Sequence, residues 1–456
     1  MHNLKKIFFL ILLFTIIPFT FAAEMKLKNN PLCKVKEEDK EAARKNPQTL
    51  YSYNIARNQT FKVETADKAT ARVNLESNFT KGLFENNAFF VDEEDVKIAK
   101  KHPKSTFANL VAKHKSYLIT EDDKEYIRRN PDEELSLGLI KNENFDPSET
   151  IRLFVQNNPQ LRLSGEITTL EKYKVTKADK ELLYKNPMSK FSQGIIKNKD
   201  FRFENTDRLL ARRNPDSPAS FLLTQFPNYK IEGLDKELAR KNPDSNFARG
   251  IVLNIGYKAE ENDKVIARQN LNSSFAFGLC LKQNYKVEEL DKKIAKENPN
   301  SKFAAALSRN PTYHIDESDK EFILKNSDTK LAQSLLENKN YKLTNRDKIN
   351  FAEKPYVLIK NLIKHENYKI SRKDIETARK EINSSFAFSI TMNPDYPIEK
   401  VDVRIARENL SSRFAEGLVQ NPNYWLTEED KKIARKNTST NFAYAVSLKM
   451  LQCSYN

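Results

Sequence analysis

Basic side chains return at two fixed places along this chain, and their spacing is the pattern that most invites a chemical reading. One residue after a recurring aspartate stand Lys236, Lys264 and Lys292. Five residues after it stand Arg44, Arg72, Arg128, Arg212, Arg240, Arg268, Arg379, Arg407 and Arg435. Residues four apart share a helix face. Stacked helices would carry these cations as a ladder able to hold a polyanion: an acidic glycan, a membrane surface or, less expected after export, nucleic acid. The other reading is a solvated face whose charges pair with acids of neighbouring segments, the arginines bridging to the next aspartate. With 77 basic and 62 acidic residues and a net charge of +15, most cations have a partner available. The paired face is the primary expectation, and polyanion binding is its alternative.

Other chemistry finds little footing. His2, His102, His114, His314 and His365 sit at unrelated places, with no metal-ligand spacing. No nucleophile elbow or isolated pair of catalytic acids stands out. Nine glycines in 456 residues form no phosphate-binding loop, and no cofactor is expected. The chain is therefore expected not to be an enzyme, and a hydrolase with a cryptic site is the third reading. Repeated Tyr and Phe could stack on bases or sugars, but their fixed place before an aliphatic residue predicts core. Trp425 is a candidate exposed anchor. The sequons at Asn58-Gln59-Thr60 and Asn383-Ser384-Ser385 carry little weight in a chain so rich in Asn.

The elements that position these residues follow from a tandem repeat, which must be sought before any other feature. The aspartate returns at Asp39, Asp67, Asp95 and Asp123, then from Asp179 to Asp347, and at Asp374, Asp402 and Asp430; every step is a multiple of 28 residues except Asp347 to Asp374, which is 27. Ile151 stands at the one missing place, giving fifteen repeats. Four residues after the aspartate comes a small or aliphatic residue such as Ala239 or Ala295. Twelve after comes Phe79, Phe107, Phe191, Phe247, Phe275, Phe303, Phe386, Phe414 or Phe442. Sixteen after is aliphatic throughout, as in Ile251 and Leu279, and near the end comes an aromatic such as Tyr229 or Tyr285. The Phe, its small successor and the aliphatic residue lie on one helical face.

Turn chemistry cuts each repeat into two helices. Thr120 with Asp123, Thr176 with Asp179 and Thr427 with Asp430 resemble capping boxes with an aspartate in place of Glu. The first helix runs to Asn-Pro, as at Asn242-Pro243, where Asn tolerates a left-handed exit and Pro blocks continuation. Ser245, Ser273, Ser301 or Ser412 then caps the second helix. Neither helix reaches the ~12–15 residues that marginal stability in water requires, so each must bury a face against its neighbours. The prediction is an all-α solenoid, a superhelical rod of about fifteen 28-residue two-helix repeats.

The string Ala239-Arg240-Lys241-Asn242-Pro243, continued by Ser245, Phe247-Ala248 and Gly250-Ile251, resembles the leucine-rich repeat variant class of short helical solenoids. The likeness is one of pattern and covers the array from Asp39 onward. Those repeats are shorter and lack the Tyr-x-Ile/Leu tail; HEAT-like and TPR-like units are longer. The resemblance implies a curved, right-handed stack whose second element is short or 3₁₀, and it carries over no catalytic residue.

Residues 1–22 read as a secretory signal: Lys5 and Lys6, an apolar run to Phe21, and a small-residue end at Ala22. Removing the two lysines lowers the net charge from +15 to +13. Residues 23–36 form a leader or cap, and 37–456 the array, whose last repeat is atypical. Stacking at ~8–10 Å per helix predicts a rod on the order of 130 Å long. Cys33 and Cys453 would lie at its two ends, beyond the about 7 Å between alpha carbons that a disulfide allows unless the superhelix closes. Buried or free thiols are expected, or a link between two chains. The functional expectation is a secreted or periplasmic scaffold, not membrane-spanning once mature, that binds a protein partner through its extended surface. The irregular repeats at Ile151 (with Glu166) and Asp347 (with Lys360) are the places to look for a site, against simple decay of the pattern.

Overall fold

A computed structural model describes residues 31–342 and 368–454. The expected signal peptide and most of the repeat headed by Asp347, including Lys360, lie outside the described residues. Those described hold 28 α-helices and no strand, arranged as repeated helix pairs. First helices are nine residues long, as in Gly233–Lys241, and second helices six to eight, as in Asn246–Leu253, except the last, Asn441–Ser454, which has 14. The second element is α-helical rather than 3₁₀. None of the described helices is long and apolar enough to cross a membrane.

The chain divides into two compact bodies, one formed by residues up to Ile98 together with those from Lys369 onward, the other by Ala99–Tyr368. Both are built by the same rules. The position four after the aspartate is fully buried whether Ala239, Ile127 or Val155 occupies it, and so is the aliphatic position sixteen after, from Ile55 to Val446. Phe79, Phe107, Phe191, Phe247, Phe275, Phe303, Phe386, Phe414 and Phe442 are all buried, as the pattern requires of core. Second helices pack directly on one another. An added Cβ on Gly82 would lie 2.3 Å from the Tyr53 carbonyl oxygen, and one on Gly138 would lie 2.4 Å from that of Asn109. Glycine recurs there because the neighbouring backbone occupies the side-chain space.

Backbone ends are closed by local bonds. Ser245 and Ser273 accept from the amides of Ala248 and Ala276 at 3.0 Å. Replacing Ser273 with Ala should cost about 1 kcal/mol, read as a lowered denaturation midpoint. The left-handed exit expected of Asn is corrected: Asn46 and Asn242 sit at φ −127° and −126°. Their side-chain amides instead donate back one turn, to Ala42 and Leu238 carbonyls, so the side chain and not the backbone conformation ends the helix. A second asparagine near the end of the pair crosses between repeats. The Asn86 amide donates to the carbonyls of Ala56 and Asn58 at 2.9 and 3.0 Å, and Asn310 does the same to Cys280 and Lys282.

The separated ends of the expected rod are also corrected. In the first body the last repeat stacks on the first. Cys33 and Cys453 are joined by a disulfide, with alpha carbons 5.7 Å apart. No local spacing encodes that meeting, because the two cysteines stand 420 residues apart in sequence.

Candidate functional site

The recurring aspartate is the centre around which each junction is built, and among the described residues it is buried except at Asp374, which is half-buried. Asp235 shows the arrangement. Its Oδ2 accepts from the Glu232 amide at 2.8 Å, capping its own helix. Its Oδ1 accepts from Tyr229 Oη and from Arg212 Nε, both at 2.8 Å, and Arg212 Nη2 reaches Oδ2 at 2.9 Å. Tyr229 and Arg212 belong to the preceding repeat, so one carboxylate ties a helix start to its neighbour. The hydrogen bond to Asp235, opposed by burial, holds the Arg212 guanidinium above its usual range. Burial, reinforced by the adjacent carboxylate, pushes the Tyr229 hydroxyl up.

The predicted basic ladder is built into these junctions. Arg44, Arg72, Arg240, Arg268, Arg379 and Arg407 bond the next aspartate through Nε at 2.7–2.9 Å. Lys236 pairs with Glu260, Lys264 with Glu288, and Lys292 with Asp316. Arg128 differs. Ile151, fully buried, stands where its aspartate would be, and Arg128 turns to Glu125 of its own helix. The first helix there, Glu149–Asn157, has lost its capping box, and Phe145 fills the tyrosine place without a hydroxyl. The cations therefore neutralise neighbouring acids, the primary expectation for this face.

Arg435 completes the pattern in an unforeseen way. Its partner is Asp39 of the first repeat, with Nε to Oδ1 at 2.6 Å. Lys431 reaches the same carboxylate at 3.1 Å, and the carbonyls of Leu32 and Lys34. The Asn54 amide donates to Ser447 Oγ at 3.0 Å, and that of Asn58 to the Met450 carbonyl at 3.1 Å. No tyrosine precedes Asp39 in the usual place. Tyr51, standing where other repeats have Phe, turns its hydroxyl to Asp39 at 3.3 Å instead. Burial pushes the Asp39 carboxyl up, but the Arg435 hydrogen bond and the Lys431 charge outweigh it and leave it below the ordinary range. The last repeat thus serves as the predecessor of the first.

No family model, curated protein or solved structure matches the chain.

Apolar side chains also stand at the surface, at recurring places. Leu234 and Leu290 stand one residue before an aspartate, and Leu209 and Val265 two residues after one, all exposed. Those places are three apart on the first helix and share a face. Past the second helices, Ile255 is 93% exposed, with Leu253 and Leu281 half-exposed nearby in register. Trp425 is exposed, as expected of an anchor. Asn58 is buried and hydrogen-bonded, so the first sequon is closed to modification in the folded chain, whereas Asn383 is exposed in a turn. Among the described residues, no group of three or more His, Cys, Asp and Glu is gathered as a metal would need.

Proposed function

We propose that this chain is an exported, non-enzymatic repeat scaffold that binds a protein partner through the exposed surface of its helix pairs. The observation that carries the reading is the exposed apolar series Leu209, Leu234, Val265 and Leu290, with Ile255 beside Leu253 and Leu281. A core position would bury these side chains, and their return in register along successive repeats offers a partner a repeated apolar contact. The pairing of Arg212, Arg240 and Arg268 with the next aspartate weighs against a polyanion ladder, since those charges are already neutralised. Export rests on residues 1–22, and the Cys33–Cys453 bond supports it, because disulfides persist in oxidising compartments. The repeat type is a short helical unit similar to leucine-rich repeat variants, with a longer unit and an added tyrosine tail.

Capture from a cell-envelope extract tests the binding. One protein should be enriched at low and at high salt alike, and Ile255→Asp with Leu281→Asp should abolish its capture. Binding that falls steeply between low and moderate salt would mean a polyanion ligand instead.

A further inference from the structure

The junction between the last repeat and the first repeats the chemistry of the interior junctions but has no peptide link across it. Arg435 meets Asp39, Asn54 meets Ser447, and Asn58 meets the Met450 carbonyl. The one covalent bond across the seam is that between Cys33 and Cys453. The two faces are complementary and not alike, and every chain carries one of each. Such faces pair within a chain or head to tail between chains by the same contacts, as in domain swapping. A tether decides between the two by raising the effective concentration of the partner on the same chain.

We infer that this seam is a thiol-controlled docking surface whose partner, once the Cys33–Cys453 bond is open, is the complementary face of a second copy of this chain. Opening is an exchange with a small thiol of the glutathione class. Its thiolate attacks one sulfur, forms a mixed disulfide, and releases the other cysteine as a thiolate that takes up a proton. A second small thiol displaces the first, leaving two cysteine thiols and one small disulfide. The reverse exchange consumes a small disulfide and rejoins Cys33 to Cys453, of the same chain or of another. Cys33 is 6% and Cys453 7% exposed, so attack waits until the seam parts. The inference stands apart from the partner-binding reading, because it uses other residues and needs no other protein.

Two full-length variants test it, Cys33→Ser and Cys453→Ser, mixed in equal amounts with oxidised glutathione. The expected product is a heterodimer joined between the remaining Cys33 and Cys453, in clear excess over either homodimer by non-reducing electrophoresis and peptide mass. Adding Arg435→Glu to the copy that keeps Cys453 should reduce it. Homodimers as abundant as the heterodimer, or monomers capped by glutathione alone, overturn the inference. A second measurement uses the unmodified chain. Its scattering mass should stay that of one chain when oxidised and rise towards two or more with concentration when reduced, at unchanged helicity. A reduced chain that remains at single-chain mass, or loses its helicity, also overturns it.

Discussion

Replacing Asp235 with alanine should lower stability by about 3–5 kcal/mol, the usual cost of removing one partner from a buried ion pair. Three groups lose their acceptor together. Arg212, only 13% open to solvent, is left with Glu232 as its one carboxylate, Tyr229 keeps a buried hydroxyl, and the Glu232 amide loses its cap. Chemical denaturation measures the loss, and hydrogen exchange should place it in Asn205–Arg213 and Gly233–Lys241. The repeat headed by Ile151 already shows how the chain lives without this carboxylate. There the site is apolar, the tyrosine is Phe145, and the arginine bonds its own helix. Asp235→Ile combined with Tyr229→Phe should therefore be milder than Asp235→Ala, although it removes more polar groups. A double variant costing more than the single one would refute the account of the carboxylate as the common acceptor.

Lys449→Asn should stabilise the chain at neutral pH and remove a pH dependence. Lys449 stands where Asn86, Asn310 and Asn421 stand in their repeats, and its Nζ donates to the carbonyls of Val419 and Asn421 at 3.1 and 2.6 Å. The Tyr424 ring lies against it, and no carboxylate pairs with it in the described contacts. Burial pulls its pKa down to about 7 from 10.5. A neutral amine still has the protons both carbonyls need. Above the unfolded value the lysine is neutral in both states. As pH falls towards about 7 the unfolded chain takes up a proton that the folded chain refuses, so stability declines across that window. At about 1.4 kcal/mol per pKa unit the decline approaches 5 kcal/mol at most. Melting temperatures between pH 7 and 10 should rise for the natural chain and change less for Lys449→Asn, whose amide makes the same two bonds without a titrating group. Parallel profiles would contradict this.

Much of the fold was legible because each repeat solves the same burial problem with the same residues. Ala239, Phe247 and Ile251 announced their helix faces by spacing, and Ser245 announced its cap. The tyrosine was read as core, and it is buried. Its second duty, donating to the aspartate six residues on, was missed because a fixed interval looks the same for packing and for a hydrogen bond. The bridging role of the arginines was legible as one of two readings, and only the distances choose. The meeting of the last repeat with the first was not legible in any one repeat, because it joins residues 396 positions apart, which no 28-residue pattern relates. Two signals did exist: Asp39 in the first repeat keeps its acid, and Arg435 in the last keeps its guanidinium. An array with free ends would give neither a partner.

The Arg435–Asp39 pairing also bears on how such a gene can change. In an ordinary tandem stack each repeat touches only its neighbours, so a change in one is not felt at the far end. Here the final copy also hands its arginine to the initial one, so a change in either terminal repeat is felt in both. Variation at the two residues is thereby linked, although they stand almost at opposite ends of the repeat series.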